Sequence, residues 1–352
     1  MLHRPHSDPV ERYLKEGHMS TAGKKKTPKR LFKDLFDLKN TEHPPFIPLV
    51  YTYASRVSKM PVDEMLGDPT ELSRSLIMAQ ELFDYDAVIS HYDTCLEMEK
   101  LGSCFDWVPK DIRGRVGSRP GTSFVTGRPF ADCRAGSMPV VLESASLVSA
   151  TIGKDVPVIG VLNGPVSLVR RILDEHRVFG ESRDELKGRL HDVQGPLVDF
   201  VKAYCNQGVD AIWMIEEDWD CMGKQDIEWL QPIYTTFFNV TQYYDVKAVV
   251  AFHNYDASNP DVYFSLGADG IYFGGEKSRE LPLHRLADLM DKYGVCVGIG
   301  CPVWQSEQTS SDEKLIEAVK DVGHGFFLST PFEVDPETRP ERITAMVQTI
   351  KE

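Results

Sequence analysis

The sequence predicts an α/β protein built as a (β/α)8 TIM barrel, with an N-terminal extension and a long insertion after strand 2. Three observations predict it. Short, β-prone apolar runs alternate with segments of helical period from residue 46 to the C-terminus, eight of each, and that alternation makes a parallel sheet. Polar residues gather just after the apolar runs, where a parallel barrel places its chemistry. No G-x-G-x-x-G follows the first run, which disfavours an open dinucleotide-binding sheet.

Taken in order, residues 1–27 read as a flexible arm and 28–352 as one barrel domain. Lys24-Lys25-Lys26 makes the arm locally basic. Pro28–Leu38 carries apolar residues at helical spacing and is an amphipathic helix. Phe46–Thr52 is the first strand. Pro61–Phe83 is helical but broken near Gly67-Asp68-Pro69, with Asp68 or Thr70 as cap of its second half. Ala87–Asp93 is the second strand. Residues 94–137 show no period, are rich in Gly, Arg and Pro, and form the insertion; a loop of that length is usually functional or disordered.

From there the alternation is regular. Val140–Ile152 is helix, Val156–Leu162 strand, and Val166–Leu173 and Asp192–Asn206 are helices. Ala211–Ile215 is strand and Lys224–Tyr244 helix. Lys247–Phe252 is strand and Pro260–Leu266 a short helix. Gly270–Phe273, Val295–Ile299 and Gly325–Leu328 are the last strands. Leu281–Tyr293, Asp312–Val322 and Arg339–Ile350 are the helices that follow them.

Composition excludes several function classes. The net charge of −14 argues against a nucleic-acid backbone binder. No stretch approaches the roughly 20 apolar residues of a membrane span. Seven scattered cysteines, an odd number, suit a reducing cytoplasm rather than a disulfide framework.

If the barrel closes, the strand ends converge on one mouth. They bring Thr52 with Arg56, then Asp93, Asn163, Glu216-Glu217-Asp218, His253-Asn254, Gly274-Gly275-Glu276, Cys301 and Ser329-Thr330. Glu, His and Cys are all zinc ligands, and Glu217, His253 and Cys301 are the most economical set of the three a catalytic zinc needs. The bland alternative makes the acidic triplet a solvated loop start and Cys301 a small core residue. Arg56 is a candidate for binding a carboxylate, whereas Arg170-Arg171 reads as surface charge. Trp213, Trp219, Tyr255, Tyr272 and Phe332 lie near the mouth, either as pocket wall or as packing. His324, between Gly323 and Gly325, belongs either to the mouth or to a turn before the last strand.

Six segments carry a family resemblance: PPFIPLVYTYASR, FDYDAVISHYDTCLEMEKLG, VIGVLNGPVSLV, GVDAIWMIEED, SLGADGIYFGG and GHGFFLSTPFEVDPETRPERITAMV. In order and spacing they resemble the uroporphyrinogen decarboxylase superfamily, and within it the corrinoid-dependent methyltransferases. The resemblance implies catalytic roles for Asp93 and His324 and a substrate contact from Arg56; Asn163 at a strand end and Tyr255 near the mouth are the further expected substrate contacts. It also implies zinc, a small methylated substrate such as a methoxylated aromatic, and a corrinoid carried by a partner protein. A homodimer is compatible with it. The departures are specific. Thr52 stands where the decarboxylase has its first Arg, and Arg171 where it has a Tyr. Tyr255 and Phe332 occupy the two zinc-cysteine positions of the methyltransferases. Ether-demethylating relatives instead place a Glu 36 positions before the His, as Glu217 precedes His253 here. Their middle carboxylate falls on Pro232, so Glu228 or Cys301 has to replace it. The alternatives implied are a decarboxylase-like lyase and a non-catalytic corrinoid-binding relative.

Overall fold

A computed structural model describes residues 26–93, 96–97, 137–172, 183–217, 219, 222–301 and 309–352. Most of the predicted arm and insertion, with Asp218, lie outside these residues, as does the side chain of Arg171. Eight parallel strands run in the order β1-β8-β7-β6-β5-β4-β3-β2. They are β1 (Phe46–Ile47), β2 (Val88–Ile89), β3 (Val158–Asn163), β4 (Ala211–Glu216), β5 (Lys247–Phe252), β6 (Gly270–Phe273), β7 (Cys296–Gly300) and β8 (Phe326–Ser329). Among the helices around them are α1 (Pro28–Phe36), α2 (Ala54–Ser58), α3 (Val62–Gly67), α4 (Pro69–Phe83), α5 (Met138–Ile152), α6 (Pro165–Ile172), α7 (Arg183–Cys205) and α8 (Lys224–Tyr243). The predicted (β/α)8 barrel is therefore the observed fold. Among the described residues no helix is long and apolar enough to cross a membrane.

The predicted break near Gly67 is real. Asp68 caps α4, its Oδ1 accepting from Thr70 N at 2.8 Å and Glu71 N at 3.0 Å. The first two strands are much shorter than predicted. Pro48 has no N–H to give the sheet, and Val50 N turns back to Pro48 O. The seam between β1 and β2 is held by the backbone and the side chain of Asp86 together. Asp86 donates its N–H to Phe46 O at 2.8 Å, while its Oδ2 accepts from Phe46 N at 2.8 Å and lies 3.1 Å from His43 Nε2. Lys351, from the last helix, sits 3.2 Å from Asp86 Oδ1. Burial would raise the Asp86 pKa, but the hydrogen bond from His43 and the charge of Lys351 hold it below the ordinary value.

The interior defines which side chains face the mouth. Trp213 of β4 stacks on Tyr272 of β6 at 5.2 Å, and Tyr272 meets Phe327 of β8 at 6.0 Å. These strands are not neighbours in the sheet, so the rings meet across the barrel axis, in a layer built from alternate strands. Gly298 of β7 makes room, since a Cβ there would lie 2.1 Å from Phe327 Cζ. Side chains alternate along a strand. Two steps on from Ile215 and Ala251, which pair at this level, Glu217 and His253 therefore point over the core. Asn163, paired with Ile215, points inward too. Glu216 and Phe252 take the opposite parity and face the helices.

Candidate functional site

His253 follows β5 and is 9% exposed. Its Nε2 lies 2.9 Å from the hydroxyl of Tyr92, which follows β2. This contact spans the mouth. Phe332, from the loop after β8, stacks on the imidazole at 6.0 Å. Gly274 is required beside the ring, because a Cβ would come within 2.9 Å of His253 Cδ2. The Nδ1 atom is buried and has no hydrogen-bond partner among the described residues. Burial lowers the His253 pKa to about 4, against the opposing pull of the Glu217 charge. The ring is neutral at physiological pH.

Carboxyl groups dominate the rest of the mouth. Glu97 is buried and accepts from Asn163 N at 2.9 Å and from Asn163 Nδ2. Burial raises its pKa to about 7, and the Asp93 charge adds to the rise while the Asn163 donors oppose it. Glu333, half-buried after β8, takes both the N–H and the hydroxyl of Thr52 on one oxygen, Oε1, at 2.6 and 2.5 Å. Enclosure of its carboxyl raises the pKa to about 8, opposed by the Thr52 donors and reinforced by Asp93 and Asp335. Asp93 thus lies within electrostatic reach of both acids.

Glu216 explains how the end of β4 is held. Its carboxyl is fully buried at the N-terminus of α6, accepting from Ser167 N at 2.8 Å, Ser167 Oγ at 2.7 Å and Val166 N at 3.2 Å. Tyr234 of α8 also donates to it. Ser167 Oγ accepts from Glu217 N at 2.7 Å, and His253 N donates to Glu216 O at 3.0 Å. The Glu216 environment therefore sets the backbone of both inward-facing residues. Burial raises its pKa to about 7 despite these donors.

Several predicted site residues lie elsewhere. Cys301 is one step off the inward parity set by Gly298, fully buried, and senses Asp312 and Arg279, not His253. Burial pushes its thiol pKa up. Tyr255 is fully buried against Phe273 at 5.0 Å and Tyr263 at 6.2 Å, inside the aromatic layer that also holds Trp219 and Phe252. The chain turns away from the mouth after His253, with Asn254 O accepting from Trp219 N. His324 precedes β8, at the opposite end of the barrel. Gly323 and Gly325, at φ +78° and +66°, make the turn there, and His324 Nε2 lies 3.0 Å from Asp291 Oδ1. Arg56 on α2 is exposed and gives its guanidinium to the carbonyls of Pro336 and Thr338. Asp93, Asn163, Glu217 and His253 are the predicted residues that the mouth gathers. Tyr92, Glu97 and Glu333 were missed, although Asp93 and Glu97 share the four-residue spacing of one helical turn.

The family model for uroporphyrinogen decarboxylase matches residues 27–352. The chain belongs to the uroporphyrinogen decarboxylase family. No curated protein matches it in sequence. A methyltransferase from Methanosarcina mazei superposes with a TM-score of 0.76 at 16% identity, over 92% of this chain and 98% of that one. A B12-independent methionine synthase from Shewanella sp. W3-18-1 gives 0.53 at 14% identity, over 82% and 88%. At such identities these likenesses show the shared fold.

Zinc, expected from the resemblance, finds no complete site among the described residues. Among the described residues no three His, Cys, Asp or Glu side chains converge to hold a metal ion. Glu217 and His253 are neighbours, but Cys301 is not their third ligand.

Proposed function

We propose that this member of the uroporphyrinogen decarboxylase family is a methyltransferase. It takes a methyl group from a small methylated compound and passes it to a corrinoid held by a partner protein. The observation that supports this reading is the make-up of the mouth. Among the described residues Asp93, Glu97, Glu217 and Glu333 stand there, while the predicted cation Arg56 is turned to backbone carbonyls. Lys277 is engaged with Asn254 and the Tyr255 carbonyl, and Arg279 with Asp312. A porphyrinogen carries many carboxylate side chains and needs cations. A small neutral donor does not, and the stacked faces of His253 and Phe332 suit a planar one.

The chain's own residues would seat the donor against these faces and move a proton. The corrinoid would supply the electron pair that captures the methyl group. The test is methyl transfer from methoxylated aromatics to reduced cobalamin, read by its absorbance change, beside a product assay on uroporphyrinogen. Methyl transfer with no porphyrinogen decarboxylation is expected. Decarboxylation without methyl transfer sinks the proposal in favour of the lyase, and silence in both favours a binding protein.

A further inference from the structure

We infer that His253 is a hydrogen-bond donor rather than a metal ligand: Tyr92 holds its ring in the tautomer whose hydrogen sits on Nδ1, and that N–H takes a carbonyl-type oxygen of a flat, neutral ligand. The pairing of Tyr92 with His253 would hold whether or not the mouth transfers a methyl group.

Geometry and acidity together set the pair. His253 Nε2 lies 2.9 Å from the Tyr92 hydroxyl. A phenol O–H is a far stronger acid than a neutral imidazole N–H, and an imidazole nitrogen is a far stronger base than a phenol oxygen. The hydrogen therefore runs from Tyr92 to Nε2. A neutral imidazole has one in-plane lone pair, on whichever nitrogen lacks a hydrogen. The hydrogen bond at one nitrogen thus decides what the other can do. With the lone pair facing Tyr92, Nδ1 carries the hydrogen and has nothing to give a metal. Neither nitrogen meets a carboxylate among the described residues, as a buried imidazolium would need.

The surroundings of Nε2 agree. Gly274 packs so closely that a Cβ there would lie 3.0 Å from Nε2 and 3.0 Å from the Pro331 carbonyl oxygen. A zinc ion on Nε2 would sit about 2.0 Å from it, in place of the Tyr92 hydroxyl. Of the other predicted ligands, Cys301 senses Asp312 and Arg279.

The Nδ1–H is then a buried donor with no partner among the described residues, a costly state for a polar group. An acceptor oxygen on a bound molecule would satisfy it. Phe332 sets the shape of that molecule. It is 36% exposed and stacks on the imidazole at 6.0 Å, inclined by 24°. A flat molecule lying edge to edge with the imidazole would share the Phe332 face while its oxygen met Nδ1. A carbonyl conjugated to a ring supplies such an acceptor, with its lone pairs in the molecular plane. The carboxyls of the mouth, Asp93, Glu97, Glu217 and Glu333, favour a neutral oxygen over a charged one.

The test uses the full chain carrying 15N-labelled histidine, zinc sulfate, and two probes of nearly equal shape. Acetophenone and α-methylstyrene differ in having C=O or C=CH2. The His253 signals are identified by their loss in His253→Ala. Long-range 15N–1H spectra should show Nδ1 protonated and Nε2 bare, and one equivalent of zinc should leave both nitrogens unmoved. In Tyr92→Phe the hydrogen should move to Nε2, the form a free imidazole side chain favours. An Nε2-protonated ring in wild type, a zinc-dependent shift of His253, or an unchanged tautomer in Tyr92→Phe overturns the pairing. Acetophenone should shift Nδ1 and bind about tenfold more tightly than α-methylstyrene. Tenfold is about 1.4 kcal/mol, the worth of one good hydrogen bond. Equal affinities, no binding of either probe, or acetophenone binding that leaves Nδ1 unmoved overturns the ligand class. No turnover enters these readings, so methyl transfer can fail with the pairing intact.

Discussion

Gly164→Ala tests how the end of β4 is held. A Cβ at Gly164 would lie 2.1 Å from Glu216 Oε1 and 2.3 Å from its Cδ. Cβ contacts under 3.0 Å are essentially never seen, so the carboxyl must retreat by about 0.9 Å, the difference between 3.0 and 2.1. Its bond to Ser167 N would stretch from 2.8 Å to about 3.7 Å, beyond hydrogen-bonding range. The Ser167 Oγ bond, at 2.7 Å, moves with it. Losing two bonds to a buried carboxyl costs about 1–3 kcal/mol each, and partial relaxation returns some of it. A destabilisation of about 3 kcal/mol is expected from urea unfolding by linear extrapolation. Gly188→Ala on α7 is the control. Nothing lies within 4 Å of its added methyl, so it should gain about 0.5–1 kcal/mol. Stability of Gly164→Ala within about 0.5 kcal/mol of wild type, an effect no larger than that of an ordinary surface substitution, would refute the cradle described for Glu216.

Three further outcomes follow from the same geometry. Glu216 has its folded pKa raised from 4.5 to about 7, so its contribution is complete below pH 4.5 and is lost as pH rises to about 7. That is on the order of 3 kcal/mol. Glu216→Gln should remove about a third of the fall that the raised carboxyls produce over this window, because Glu97 and Glu333 titrate across it as well; an unchanged slope from denaturant midpoints counts against it. Asp86 has a lowered pKa, so its contribution is present above pH 3.8 and lost as pH falls through the folded value. Asp86→Asn should cost about 3 kcal/mol at pH 7 and less in acid, read from thermal unfolding at both pH values. Tyr92→Phe removes the partner of His253 Nε2 and should cost about 1–2 kcal/mol, with a shift of the His253 ring nitrogens in NMR.

The barrel was legible because its signal is repeated and local: short continuous apolar runs, interleaved with helical segments. Its site was legible only where strand and sequence end together. Glu217 and His253 stand two steps beyond Ile215 and Ala251, so inward parity carries straight through to them. Cys301 was drawn into the same set by residue type, but it is one step out of phase. That step turns a side chain to the other face of the sheet. His324 failed for a related reason. A His between glycines reads alike at either end of a strand, and only the register of β8 with β7 places it at the entry. Glu333 escaped notice because its importance comes from Thr52 and Asp93, each more than 200 positions away in sequence.

The protonation pattern of the mouth bears on what it admits. Glu333 keeps a proton at neutral pH, and Glu97 is close to its midpoint there. Both do so chiefly because an ionised carboxyl is poorly solvated where they sit, with Asp93 adding repulsion. An anionic substrate would add to that repulsion and raise both values further, so its binding would take up protons and weaken as pH rises. A neutral donor would bind with little proton uptake at pH 7. Calorimetry in two buffers of different ionisation enthalpy separates these cases. The buried Nδ1 of His253 favours the neutral one, since a neutral imidazole offers hydrogen bonding without charge. The mouth is thus better suited to a small uncharged molecule than to an anion.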